Sequence, residues 1–193
     1  MKFLNTRSGL VGFLLLLFLV GAETFFSARP GTSQPALPDA APGQATGTVA
    51  LNATILRVVD GDTFVAKVDQ EDGEWTVRLL GINTPETVDP RRPVECFGKE
   101  ASKKLHELLP DGTRIRLEAD PQADERDKYD RLLRNVLLAD GTDVNALMVR
   151  DGFAHAYLSF PLAASRKKEL RDDETAAREE KLGLWAGVCA PDR

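Results

Sequence analysis

The stretch from Val58 to Thr87 gathers groups that together suit one reaction. It reads V-V-D-G-D-T-F-V and, after a polar turn, V-R-L-L-G-I-N-T-P-E-T. Two aspartates flank a glycine, an arginine sits inside an apolar run, and an amide, a hydroxyl and a carboxylate follow it. Oxygen donors of this kind suit a hard divalent cation. A carboxylate can take a proton from water, and a guanidinium forks onto phosphate oxygens. Breaking a phosphodiester needs these three capacities in one place. A second segment, D-K-Y-D-R from Asp127 to Arg131, supplies another arginine further along. Taken singly, each residue also has a structural reading. An Asp-Gly step is an ordinary hairpin turn, and Arg78 could be a rim arginine in a salt bridge. Thr84-Pro85-Glu86 could end a strand, and Arg131 could pair with Asp127 or Asp130.

The elements that must position these groups read as strands first. Leu51 to Val59 is rich in β-branched residues, Thr63 to Val68 alternates, and Trp75 to Ile82 follows the Asp72-Gly73 turn, so the three are expected as consecutive hairpins. Arg114 to Glu118 alternates, and Leu132 to Ala139 ends at the turn signal Asp140-Gly141. Helices are expected over Gly98 to Leu109, with Ala101, Leu105, Leu108 and Leu109 on one stripe, and over Asp143 to Asp151, N-capped by Asp143 and closed by Gly152. A third covers Ser165 to Lys181, a charged helix with Leu170 and Ala177 as its apolar seam. The fold class is α+β: a five-stranded antiparallel barrel of the oligonucleotide-binding type with about three helices.

The chain has 193 residues, which favours one domain. Three basic and two acidic side chains lie in residues 1–48, leaving 22 basic against 28 acidic in the rest, a net charge of −6. Bulk charge therefore cannot carry binding to nucleic acid, which rests on clustered Lys and Arg. Any such contact must be local or assisted by a cation. Lys2 and Arg7 precede an apolar run from Leu10 to Ala22, shorter than the about 20 residues of a spanning helix. Residues 1–26 therefore read as a signal peptide cleaved near Val20-Gly21-Ala22, or as an N-terminal membrane anchor extended by Phe25 and Phe26. Both readings place the rest outside the cytoplasm, secreted, periplasmic or at the cell surface. Residues 27–48, dominated by Pro, Ala, Gly, Ser and Thr, read as a linker, and residues 49–193 as the folded domain.

Five segments carry a family resemblance. They are D-G-D-T-F-V at Asp60 to Val65, R-L-L-G-I-N-T-P-E-T at Arg78 to Thr87, E-C-F-G-K-E-A-S at Glu95 to Ser102, D-K-Y-D-R at Asp127 to Arg131 and V-N-A-L-M-V-R-D-G at Val144 to Gly152. In this order and spacing, across about residues 49–186, the chain resembles the staphylococcal (micrococcal) nuclease family. D-G-D-T alone is a weak signal; five collinear segments are a strong one. The resemblance implies a monomeric, calcium-dependent nuclease that cleaves DNA and RNA with little sequence specificity and leaves 3′-phosphates.

Residue by residue, it implies Asp62, Asn83 and the main-chain carbonyl of Thr84 as calcium ligands. Glu86 stands at the position of a general base or water-orienting carboxylate, Arg78 and Arg131 at those of the phosphate-binding arginines, and Tyr129 near the substrate. Two positions depart from the family pattern. Asn83 replaces an aspartate, which keeps a carbonyl oxygen but removes a charge. Asp130 replaces glycine or glutamine, and its carboxylate is expected to draw Arg131 away from the phosphate. The same barrel also serves as a non-catalytic nucleic-acid or protein-binding module, the alternative reading, although such modules tend to lose the acid, base and arginine set kept here. Cys96 and Cys189, an even count in an exported chain, read as a disulfide. His106 and His155 lack any zinc-site spacing with them and read as structural or exposed.

Overall fold

The computed structural model describes residues 49–91 and 93–189. The signal or anchor over residues 1–26 and the linker over residues 27–48 lie outside the described residues. Strands β1 (Ala53–Val58), β2 (Thr63–Val68), β3 (Trp75–Leu79), β5 (Arg114–Glu118) and β6 (Leu132–Leu137) close a barrel in the order β1-β2-β3-β6-β5. β4 (Ile82–Asn83) pairs outside it with β7 (His155–Ala156). Helices α1 (Gly98–Leu108), α2 (Val144–Arg150) and α3 (Ala164–Glu179) follow, and a 3-10 turn spans Gly183–Trp185. Apolar side chains alternating inward from the strands fill the barrel. Ile55, Phe64, Val77, Leu79, Ile115 and Val136 have no exposed surface, and neither have Leu105, Met148 and Leu170 from the helices.

Two sequence expectations need correction. The barrel is mixed and not purely antiparallel, because β6 runs parallel to β3 with Val77 opposite Leu132 and Arg78 opposite Leu133. Parallel neighbours need a long crossover, which α1 and β5 provide between these strands. The expected single strand Trp75 to Ile82 is also two pieces. Gly81 turns left-handed at φ 80°, and a Cβ there would lie 2.6 Å from Leu170 Cδ1. The chain therefore kinks where α3 packs against it, and β4 leaves the barrel towards β7. The remaining elements fall within a few residues of their expected bounds. Asp143 caps α2 by accepting from Ala146 N–H at 2.9 Å, and α3 buries Arg166, Leu170 and Ala177 alone. The pairs Lys168–Asp172 and Glu174–Arg178 brace α3's solvated face.

Candidate active site

The turn between β1 and β2 brings two carboxylates to one end of the barrel. Asp60 N–H and Val59 N–H both donate to Thr63 O, and Asp60 Oδ1 accepts from Asp62 N–H at 3.0 Å. Gly61 sits between them because the turn lies against its neighbours: a Cβ there would fall 2.7 Å from Thr84 Oγ1 and 3.0 Å from Ala101 Cβ. This close approach sets Asp62, 6% exposed, beside the end of β4. Its Oδ1 accepts from Thr63 Oγ1 at 2.9 Å, and its Oδ2 accepts from Thr84 N–H at 3.3 Å.

Arg78, also 6% exposed, meets Asp62 Oδ2 at 3.0 Å. A buried arginine is tolerated where its donors are satisfied. Its Nη1 donates to the carbonyls of Leu79 and Ile82, both at 2.9 Å, and its Nη2 donates to Asn83 Oδ1 at 3.0 Å. The guanidinium also lies over the Phe160 ring, 5.5 Å from its centroid. Asn83 Oδ1 is thus already an acceptor, and as a metal ligand it would offer its remaining lone pair.

Glu86 follows Pro85 at the mouth of a loop. Its Oε1 accepts from three successive main-chain N–H groups, of Thr87 at 2.9 Å, Val88 at 2.7 Å and Asp89 at 3.1 Å. The carboxylate is oriented by its own loop. Arg131 enters from the turn before β6. Asp127 Oδ2 accepts from its Nε at 2.7 Å and meets its Nη2 at 2.6 Å, while Nη1 donates to Thr63 Oγ1 at 3.3 Å. Asp127 is therefore the acid that holds Arg131, which corrects the expectation placed on Asp130. The backbone at Asp130 is left-handed, φ 63°, and turns that exposed carboxylate to Arg126 at 3.0 Å.

All six residues assigned from the sequence, Asp62, Arg78, Asn83, Thr84, Glu86 and Arg131, line one open cleft of about 290 Å³. Tyr129 borders it, largely exposed, with the Arg131 guanidinium 5.4 Å from its ring centroid. Three contributors went unassigned in the sequence reading. Asp60 lines the cleft, and Arg91 projects at its edge in a two-bond pair with Asp89. Phe160 underlies Arg78 although it follows β7, and no local pattern connects the two. Asp60 had a signal, its place in D-G-D. His106 is exposed on α1, and His155 packs against Trp185 with ring centroids 5.0 Å apart, so neither enters the cleft.

Carboxylates gather in the cleft among its three arginines. Burial pushes the Asp60 carboxyl up to about 6, with the charges of Asp62 and Glu86 adding to the rise against hydrogen bonds from Asp62 and Thr63. Negative charge is crowded here, and the donors at hand are carboxylate, amide and main-chain oxygens, the set a hard divalent ion takes. Among the described residues no three acidic, His or Cys side chains group as a ready-made metal centre. The neutral oxygens of Asn83 and Thr84 would have to complete the set.

Comparison with known proteins gives the same outline. The family model described as staphylococcal nuclease homologue matches residues 76–187. The chain is 38% identical over 136 residues to the SPbeta prophage-derived endonuclease YokF of Bacillus subtilis (strain 168), covering 70% of this chain and 44% of that protein. It is 37% identical over 136 residues to Endonuclease YncB of the same organism, covering 70% and 62%. A Thermonuclease of Staphylococcus intermedius is 34% identical over 131 residues, covering 68% of this chain and 74% of the relative. The match thus spans less than two thirds of either Bacillus protein.

Proposed function

The chain belongs to the staphylococcal nuclease family, and from that membership we propose that it is a calcium-dependent nuclease hydrolysing the phosphodiester bonds of DNA and RNA. The observation that carries this reading is the convergence of Asp62, Arg78, Glu86 and Arg131 on one cleft. Glu86, fixed by three N–H groups, is placed to take a proton from a water attacking phosphorus, or to orient that water. Charge then builds on the equatorial phosphate oxygens, where two guanidiniums stabilise it. Arg78 Nη1 is committed to main-chain carbonyls, so a phosphate oxygen exchanges in at Nη2, beside Asp62 and Asn83. Arg131 keeps Asp127 on one edge and extends Nη1 towards Thr63. Cleavage of the bond to the 5′-oxygen, with a proton delivered to that leaving group, leaves the 3′-phosphate that the family pattern implies.

Asp62, Asn83 and the carbonyl of Thr84 would hold calcium, which supplies a positive charge for the phosphate in a domain that is itself acidic. A non-catalytic binding module is the alternative, but such modules tend to lose the acid, base and arginine set that Asp62, Glu86, Arg78 and Arg131 keep here. Work outside the cytoplasm is supported by the apolar segment Leu10 to Ala22 and by the disulfide Cys96–Cys189. The test is digestion of plasmid DNA and of RNA by the purified protein with calcium, with magnesium and with chelator. Cutting of both polymers in calcium, lost on chelation and leaving 3′-phosphate ends, is the expected result. Intact polymers in calcium would overturn the proposal.

A further inference from the structure

The loop that orients Glu86 is closed at its base by Glu95. Glu95 N–H donates to Glu86 O at 2.8 Å, and Glu86 N–H donates to Glu95 Oε2 at 2.9 Å. The residue after Glu95 is covalently tied: Cys96 forms the disulfide with Cys189, 93 residues away. Both sides of that bond are anchored to the body of the domain. Beyond Cys96, Phe97 takes a left-handed backbone at φ 68° and packs its ring 5.5 Å from that of Phe153. Before Cys189, Leu184 N–H donates to Gly152 O at 2.9 Å, and Trp185 lies under the Arg178 guanidinium, 3.9 Å from its ring centroid. Between Glu86 and Glu95, no strand or helix occurs among the described residues. The orientation of Glu86 therefore depends on how firmly this loop is held at its base.

We propose that Glu95 and the Cys96–Cys189 disulfide form a clasp that keeps Glu86 in its cutting orientation, Glu95 acting as a positioning residue and the disulfide as a tether that a dithiol reductant opens. The inference rests on the nuclease reading for its effect on rate, but not for its effect on the loop. In the opening step a dithiol gives two electrons and two protons, becomes a disulfide itself, and leaves Cys96 and Cys189 as thiols. Glu86 then keeps its neighbours but loses the fixed base that holds them over it. Arg78 and Arg131 belong to other elements and keep their partners, so substrate binding is little affected while turnover falls.

The experiment measures amide hydrogen exchange at Thr87, Val88 and Asp89 in the full chain, as oxidised wild type, as dithiol-reduced wild type, and as Glu95→Ala and Glu95→Gln. Thr142 N–H, capped by Asp140 Oδ1 at 2.9 Å in the turn between β6 and α2, is the control for general loosening. Exchange at the three loop amides should rise about fivefold or more in Glu95→Ala, the size expected for losing at least one net hydrogen bond, and should rise on reduction as well. It should rise less in Glu95→Gln, which retains an acceptor oxygen for Glu86 N–H, and Thr142 should not change. The cutting rate at saturating nucleic acid should fall with the loop's exchange, KM staying within about twofold. Unchanged exchange in both the reduced protein and Glu95→Ala overturns the clasp, as does an equal rise at Thr142. Equal losses in Glu95→Gln and Glu95→Ala overturn the hydrogen-bonding role of Glu95, and a faster loop with an unchanged cutting rate overturns the positioning role. A wild type that cuts nothing removes the nuclease reading and leaves the clasp to be decided by the exchange rates alone.

Discussion

Asp127 binds Arg131 through its side chain and its backbone, and this pairing decides how the second guanidinium meets the cleft. Burial pushes the Asp127 carboxyl up, but hydrogen bonds from Arg131 and from the Tyr129 and Arg131 main-chain N–H groups outweigh it and hold the group below the usual carboxylate range. A depressed value means that the interaction stabilises the fold above about pH 4 and fades as pH falls through the folded-state value. Asp127→Asn should therefore lower the thermal midpoint at neutral pH, with the gap to wild type closing in acid; a gap constant down to about pH 3 would contradict the assignment. Asn83, a departure from the family pattern, also matters at this scale. Its amide oxygen accepts from Arg78, and an aspartate there would add a negative charge to the proposed calcium ligand set. Asn83→Asp should tighten calcium binding in a calorimetric titration, because affinity follows ligand charge as well as geometry. Equal or weaker binding would remove position 83 from the ligand set. The rate need not rise, since the same charge repels an incoming phosphate.

At the scale of elements, the site depends on one kink and one parallel pairing. Gly81 lets the chain leave β3 for β4, which carries Asn83 beside Arg78. Gly81→Ala combines a side chain at φ 80° with a Cβ 2.6 Å from Leu170 Cδ1. It should destabilise the domain by about 1–3 kcal/mol, as overpacking and a left-handed alanine do, and a thermal midpoint unchanged from wild type would contradict this account of the kink. The strands, the turns at Asp72-Gly73 and Asp140-Gly141, and the cap of α2 were legible because alternation, turn residues and capping side chains are local properties. The parallel β3–β6 pair was not, because strand direction is set by the crossover through α1 and β5, which leaves no mark on β6 itself. The same holds for the two-residue strands β4 and β7, too short to show a period. Within the site, the assigned residues came from motif order. The partner of Arg131 was left open between Asp127 and Asp130, and the effect expected of Asp130 failed because the left-handed turn that sends its carboxylate to Arg126 leaves no sequence signal; Phe160 was missed because only the folded chain brings it under Arg78.

As a whole, the domain is acidic, with a net charge of −6 outside residues 1–48, and its proposed substrate is a polyanion. Such a molecule cannot hold nucleic acid by counterion release over a broad basic face. On the proposed reading, positive charge is concentrated at one cleft by Arg78, Arg131 and the proposed cation, so that the attraction acts where the bond would break. The central claim is that this cleft cuts phosphodiesters with Glu86 as its base or water-orienting carboxylate. The most direct measurement is the cutting rate of Glu86→Gln against wild type at saturating DNA and calcium, because glutamine keeps the size and an acceptor oxygen but cannot take up the proton in the same way. The account predicts a fall of about 10²-fold or more, the usual contribution of a positioned proton acceptor, with the thermal midpoint little changed. A Glu86→Gln protein that cuts at the wild-type rate would contradict it.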